Sequence, residues 1–185
     1  MQQANTLCRA RQYESDHRTP LEQRPVFHAV PPVGWCNDPN GWSCYEGQYH
    51  LFYQYHPYSN CWGPMHWGHT VTTDFLHWND QPCALAPDSP FDEKGCFSGG
   101  AVEWQGKQLL LYTGVMPEND GEIQQQCMAV GDGRDYTKAS APVLPCEQQP
   151  EGYSRRDFRD PFLFTRDGIL YMLLGGRGKN GHGRL

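Results

Sequence analysis

Two aspartates that are each followed by proline are the residues of this chain best suited to chemistry. Asp38 lies in the run Asn-Asp-Pro-Asn-Gly at 37–41, and Asp160 lies in the run Arg-Asp-Pro at 159–161. Two carboxylates facing one pocket are the basic equipment of a glycosidase, whose transition state resembles an oxocarbenium ion. Either aspartate alone is also a common turn former. The functional interpretation therefore depends on whether the fold brings the two together.

A repeated hairpin pattern predicts that the fold brings the two aspartates together. Strand-like segments follow three glycines, which are separated by 59 and 62 residues: Gly47, Gly106 and Gly168. Asp38, Ser98 and Asp160 lie eight or nine residues before the glycine of their own repeat. A period near sixty, with short strands between Gly, Pro, Asn and Asp clusters, predicts four-stranded blades of a β-propeller. Because innermost strands converge on a central channel, the two carboxylates and the hydroxyl are expected around one funnel.

The number of repeats predicts an open propeller. A propeller needs roughly four to eight blades, whereas this chain holds two full periods and two strands of a third. The glycine-rich segment 175–185 is expected to be a loop with no closing strand. Residues 5–18 carry a thin apolar stripe and predict a short helix. The expected organisation is a lead-in over 1–24 and a partial propeller catalytic domain over 25–185.

Composition limits the classes of partner. The formal net charge of -6 argues against nucleic acid or anionic lipid as a partner. Aromatic residues form 13% of the chain, including six Trp and ten Tyr, which suits a surface that packs on sugar rings but equally suits an aromatic-rich β core.

The first nineteen residues are polar and no apolar stretch could span a membrane, so a cytoplasmic location is expected. The eight cysteines are then expected to be mostly free thiols. The pair His66-x-x-His69 lacks the helical setting of a zinc site. Neither a metal nor another cofactor is predicted.

Several ordered motifs carry a family resemblance. They are Trp35-Cys-Asn-Asp-Pro-Asn-Gly41, Tyr53-Gln-Tyr55, Trp62-Gly63, His66-Trp-Gly-His69, His77-Trp78, Phe97-Ser-Gly99, Tyr112-Thr-Gly114 and Phe158-Arg-Asp-Pro161. Together they resemble glycoside hydrolase family 32, which contains invertases, sucrose-6-phosphate hydrolases, levanases and inulinases. The resemblance implies an all-β, five-bladed propeller, here truncated to roughly its first half.

The resemblance also implies roles for individual residues. Asp38 would be the nucleophile of a retaining β-fructofuranosidase that acts on sucrose, sucrose 6-phosphate or a short fructan, and Asp160 would stabilise the transition state. The implied contacts to the sugar are Asn37, Gln54, Trp62, Phe97, Ser98 and Arg159. Trp62 and Phe97 could instead be core aromatics, and Arg159 could merely pair with Asp157 or Asp160.

The chain departs from the family pattern in three places. Cys36 replaces a Met and Gly100 replaces a Ser, which puts fine specificity in doubt. The family's acid/base is a Glu before Cys downstream of Arg-Asp-Pro, and no Glu follows Arg159. Since proton donation typically contributes roughly a hundred- to ten-thousand-fold, the chain alone is expected to be inactive or very slow.

Two alternatives remain open from the sequence. One is a different glycosidase on a related five-bladed propeller, which should lack the blocks Phe52-Tyr-Gln-Tyr55 and Trp62-Gly-Pro-Met-His-Trp-Gly-His69 that are present here. The other is a catalytically silent sugar-binding propeller or a broken gene product. An intact acid/base Glu in the complete protein would separate an enzyme from a silent binder.

Overall fold

The computed structural model describes residues 6–119 and 121–185. Within them lie one α-helix, α1 (Leu7–His17), and two single-turn 3-10 helices, Leu21–Gln23 and Cys146–Gln148. The strands are β1 Trp35–Tyr45, β2 Gln48–His56, β3 His66–Thr72, β4 Asn79–Leu85, β5 Gly95–Trp104, β6 Lys107–Glu118, β7 Gly121–Gly131, β8 Tyr136–Lys138, β9 Tyr153–Arg166, β10 Ile169–Gly178 and β11 Gly183–Arg184. No described helix is long and apolar enough to cross a membrane.

The strands form three antiparallel sheets in chain order. The first is β1-β2-β3-β4, the second is β5-β6-β7-β8, and the third is β9-β10-β11. The first strands of the sheets contact one another, β1 against β5 and β5 against β9. This is the arrangement of successive propeller blades around an axis. The predicted all-β partial propeller with a short N-terminal helix is confirmed, and the three sheets do not close a ring within the described residues.

Each blade opens with the same tight hairpin. Its two turn residues both have positive φ: Glu46 and Gly47, Gln105 and Gly106, Asp167 and Gly168. Such two-residue turns match the right-handed twist of the flanking strands, and they favour Gly because both turn residues need left-handed backbone. No atom of the described residues lies within 4 Å of a Cβ added at any of the three glycines, so conformation and not space selects the residue. The glycines that revealed the repeat in the sequence are therefore its turn residues.

The end of the chain differs from its expected structure. The segment 175–185 was expected to be a loop, but β10 continues through Gly178, and β11 pairs with it at Gly183 and Arg184. That expectation was wrong because a glycine-rich sequence can form a strand as well as a turn. Glycine is permitted in a strand where another backbone or a ring approaches closely, and a Cβ at Gly176 would lie 2.5 Å from the Tyr153 ring.

Helix α1 covers the outermost strand of the first sheet. The Thr6 hydroxyl accepts from the Arg9 N–H at its start. Two side chains of the helix then satisfy the backbone of one residue on β4, since Glu14 accepts from the Cys83 N–H at 3.0 Å and the Arg11 guanidinium donates to the Cys83 carbonyl at 3.0 Å. The helix thus occupies hydrogen-bonding groups that an edge strand would otherwise present to another chain. The division into a lead-in over 1–24 and a catalytic domain over 25–185 stays a prediction.

The docking of α1 should depend on pH through Glu14. Burial raises the pKa of Glu14 from its usual 4.5 to about 7, against the smaller opposing effect of the Cys83 N–H and nearby arginines. A carboxyl whose pKa is raised by folding stabilises the folded state while protonated, and that contribution is lost as the pH rises through its folded pKa. Glu14→Gln should therefore gain stability relative to wild type between pH 5 and pH 8, by up to ~3 kcal/mol.

Urea unfolding at the two pH values measures this difference. The exposed Glu22→Gln is the matched control and should follow wild type at both. If the gap between Glu14→Gln and wild type is the same at pH 5 and pH 8, the titration of Glu14 does not control the docking of the helix.

Candidate active site

Each innermost strand carries a β-bulge at the same place. The pairing of β1 with β2 shifts between Cys36 and Pro39, that of β5 with β6 between Phe97 and Gly99, and that of β9 with β10 between Arg159 and Phe162. In every case the inner strand has one residue more than its partner over the irregular step. A bulge bends the strand and re-aims its side chains, and bulges are common beside active sites.

The bulges hold the three residues that the repeat singled out: Asp38, Ser98 and Asp160. The Ser98 hydroxyl lies 3.5 Å from Asp38 Oδ2, which is a long, weak hydrogen bond between the first and second blades. The charge of Asp38 also acts on Asp160. The structure thus places the Ser98 hydroxyl beside Asp38, and it places Asp38 close enough to Asp160 for their charges to interact.

Asp38 has an ordered neighbour on its own strand. The Trp35 indole N–H donates to Asn37 Oδ1 at 2.8 Å, which fixes the orientation of that amide beside the carboxylate. Asp38 and Asn37 are both exposed to solvent. An accessible carboxylate is what attack on a bound sugar requires.

Asp160 is held in an uncommon backbone conformation. Its φ is 61°, in the left-handed region, and its N–H donates to the hydroxyl of Thr113 on β6 at 3.1 Å. Burial raises the pKa of Asp160, the Arg159 guanidinium 3.7 Å away lowers it, and the negative charge of Asp38 raises it further. The net effect is a pKa above the usual value for Asp.

The remaining predicted sugar contacts fall into two groups. Trp62 is 58% exposed and meets the Phe97 ring edge to face, with centroids 6.2 Å apart, so these rings form one wall beside Ser98. Gln54 is buried, and its amide donates to the Cys96 carbonyl at 3.0 Å, which ties the first blade to the second. Their contacts with a sugar stay predictions, and Gln54 has in addition a structural role that the sequence did not reveal.

Arg159 belongs to a charged cleft that sequence reasoning missed. A cleft of about 350 Å³ beside Asp160 is lined by Asp157, Arg159, Arg177 and the backbone of glycines 175, 176, 181 and 183. Arg159 lies 3.4 Å and Arg177 4.0 Å from the Asp157 carboxylate. The only signal for this cleft in the sequence was the glycine-rich segment after Leu174. Glycines lack side chains, so other groups can approach their backbone closely.

One departure from the family pattern has a steric explanation. A Cβ added at Gly100 would lie 2.9 Å from the Pro161 carbonyl oxygen and 3.2 Å from the Leu163 N. Contacts below 3.0 Å require something to shift, and here the neighbour is backbone. Glycine at this position lets β5 approach the segment that carries Asp160.

The described residues contain no group of three or more His, Cys, Asp or Glu side chains suited to a metal ion. None of the eight cysteines is paired in a disulfide, and all of them lie in the described part of the chain. The site combines two neighbouring carboxylates on the inner strands of a propeller, and this arrangement is typical of a glycosidase.

Comparison with known protein families identifies the glycosidase family of this chain. The model of the glycosyl hydrolases family 32 N-terminal domain matches residues 28–185. The chain therefore belongs to glycoside hydrolase family 32.

Named relatives support the assignment. A raffinose invertase of Escherichia coli is 43% identical over 167 residues, which cover 87% of this chain and 34% of that protein. A sucrose-6-phosphate hydrolase of Escherichia coli is 41% identical over 167 residues, again 87% of this chain and 34% of the relative. The chain thus spans about a third of the length of the curated relatives it matches.

Solved structures agree on the fold. The Bombyx mori GH32 beta-fructofuranosidase superposes with a TM-score of 0.80 at 37% identity, covering 93% of this chain and 37% of that one. The sucrose-6-phosphate hydrolase from Lactobacillus gasseri gives a TM-score of 0.78 at 38% identity, covering 91% of this chain and 35% of that one.

The electrostatic contact between the two aspartates can be tested directly. Removing a neighbouring negative charge makes ionisation less costly, so Asp38→Asn should lower the pKa of Asp160. A carbon-detected NMR titration of the Asp160 side chain measures the shift. Asp167→Asn is the control, because Asp167 is also exposed with left-handed backbone but is not among the charges acting on Asp160. An unchanged Asp160 pKa in Asp38→Asn would show that the carboxylates do not share a site.

Proposed function

We propose that this chain supplies the nucleophile half of a retaining β-fructofuranosidase. The observation that carries the proposal is the placement of Asp38 and Asp160 in matched bulges on one funnel, in a chain of family 32. The proposed substrates are sucrose, sucrose 6-phosphate or a short fructan. One solved Bombyx mori family 32 structure is of a mutant in complex with sucrose, which supports a sugar ligand at this kind of site. A cytoplasmic location stays a prediction of the sequence.

The proposed chemistry begins at Asp38. One carboxylate oxygen attacks the anomeric carbon of the fructosyl unit, a C–O ester bond forms, and the bond to the leaving oxygen breaks with its electron pair. The leaving oxygen must take a proton from a general acid, and the same group later removes a proton from the water that hydrolyses the ester. Asp160, when ionised, stabilises the positive charge that develops on the sugar ring in the transition state.

The surrounding residues have roles that follow from their positions. Ser98 and Asn37 lie beside the attacking carboxylate and offer polar groups to ring hydroxyls. Trp62 and Phe97 offer apolar ring faces to sugar C–H groups. Arg159 favours the ionised form of Asp160 by its charge. Each of these roles needs only groups present in the three blades.

The proton donor is the missing part. No Glu follows Glu151 in the sequence, so the family's Glu-Cys acid/base is absent from this chain. A nucleophile without an acid cannot expel a poor leaving group efficiently, and a covalent ester without a base is hydrolysed slowly. We therefore expect the chain by itself to turn over sucrose very slowly or not at all.

A fructosyl donor with a good leaving group tests the nucleophile independently of the general acid. With β-fructofuranosyl fluoride, fluoride departs without needing a proton, so Asp38 should still be fructosylated. Because no base then assists hydrolysis, the ester should accumulate and appear in intact-protein mass spectrometry as one added anhydrofructose unit. Peptide mapping should place it on Asp38.

Variants decide the assignment. Asp38→Asn should give no adduct, whereas the exposed control Asp167→Asn should react as wild type does. An adduct that persists in Asp38→Asn would remove Asp38 from the nucleophile role. Binding of fructose without any adduct in wild type would favour a catalytically silent sugar-binding propeller.

A longer protein that contains these blades together with the family's acid/base Glu should hydrolyse sucrose to fructose and glucose. Asp38→Asn should lower kcat by at least ~10³-fold, because loss of an essential nucleophile typically leaves only residual binding and electrostatic catalysis. Enzymatic assay of released fructose measures this, with Asp167→Asn again as control. Turnover within a few-fold of wild type would contradict the proposal.

A further inference from the structure

A buried polar network runs from the second blade into the bulge that carries Asp160. Thr113 on β6 and Gln126 on β7 have no exposed surface. The Thr113 hydroxyl accepts from the Asp160 N–H at 3.1 Å and can share its own proton between Gln126 Oε1 at 3.2 Å and the Ser98 carbonyl at 3.3 Å, as a three-centre hydrogen bond. One hydroxyl therefore contacts the backbone of two of the three bulges.

The network continues beyond Thr113. Gln126 Nε2 donates to the Phe158 carbonyl at 2.8 Å, and Gln124 Oε1 accepts from the Phe158 N–H at 3.1 Å. Both backbone groups of Phe158, two residues before Asp160, are thus satisfied by side chains of β7. The segment that carries Asp160 is bound to the second blade through side chains, in addition to its own pairing with β10.

Asp160 needs such support more than its neighbours do. A left-handed backbone at a residue other than Gly costs roughly 1–3 kcal/mol and persists only where surrounding contacts fix it. The pairing of β9 with β10 is interrupted at this residue, and Pro161 has no N–H to contribute. The Thr113 hydroxyl is the acceptor that the structure shows for the Asp160 N–H.

We propose that Thr113, oriented by Gln126, is a positioning residue that sets Asp160 and Ser98 relative to Asp38. The inference rests on the proposed function, and it gives a role to the Tyr112-Thr-Gly114 motif that the nucleophile and stabiliser assignments leave unexplained. Thr113 does not touch the sugar. It acts through the backbone of Asp160 and Ser98.

The test uses the fructosyl fluoride reaction of the 185-residue chain and a pair of valine variants. Thr113→Val keeps the shape and removes the hydroxyl. It should slow adduct formation by roughly tenfold to a hundredfold, as small misplacements of reacting groups do. The donor concentration for half-maximal rate should change less than about twofold. Thr113→Ser restores the hydroxyl and should restore the rate.

Thr70→Val is the matched control. Thr70 is likewise a buried strand residue, but its hydroxyl has no hydrogen-bond partner among the described residues. It should react at the wild-type rate.

A second measurement does not depend on chemistry. Hydrogen exchange at the Asp160 amide should accelerate in Thr113→Val and remain at the wild-type rate in Thr113→Ser and Thr70→Val. Wild-type rate and wild-type exchange in Thr113→Val would overturn the inference. Equal losses in Thr113→Val and Thr113→Ser would also overturn it, because the hydroxyl would then not be the responsible group.

Failure of the inference is distinguishable from failure of the proposed function. If Asp38→Asn abolishes the adduct while Thr113→Val behaves as wild type, Asp38 stands as nucleophile and only the role of Thr113 is lost. If Asp38→Asn still forms the adduct, the nucleophile assignment fails. The exchange rate of the Asp160 amide then still reports whether Thr113 holds that backbone.

Discussion

One extra residue in each innermost strand is the constraint on which the candidate site depends. A bulge interrupts the ladder, so the backbone N–H and C=O groups beside it must find partners elsewhere or remain unsatisfied at a cost of roughly 1–3 kcal/mol each. In the third blade those partners are side chains of the second, Thr113, Gln124 and Gln126. The same irregularity that turns Asp160 towards the funnel therefore makes it dependent on a neighbouring blade.

This dependence explains why the interior between the blades mixes apolar and polar groups. Phe52, Trp67 and Tyr112 fill the space between the first two sheets, and buried amides lie close to the funnel. Apolar packing alone would hold the blades together without fixing the position of any one group, because it is not directional. A hydrogen bond fixes the position of a particular backbone group. The first two blades use the same device, since the amide of Gln54 binds the Cys96 carbonyl, close to Ser98.

Much of this could be predicted from sequence, because the strongest signals were local. The spacing of the turn glycines 47, 106 and 168 indicated the repeat, and the repeat indicated that Asp38 and Asp160 hold equivalent positions in their blades. Other features depend on contacts between residues far apart in the chain, which no spacing reveals. Gln126 lies in an unremarkable run of three glutamines, and the charged cleft beside Arg177 lies in a segment that resembled a loop. The stripe over residues 5–18 gave no sign of a buried carboxyl, which only the docking of Glu14 on Cys83 reveals.

In β1 and β5 the hairpin turn stands at the opposite end of the strand from the bulge. The Gly106 carbonyl accepts from the Tyr45 hydroxyl at 3.3 Å, whereas no described atom lies within 4 Å of a Cβ added at Gly47. A tag, a surface tether or an inserted binding module at Glu46-Gly47 would therefore be attached at the end of β1 that is remote from Asp38. The blade plan thus separates a face reserved for molecular recognition from one that is available for attachment.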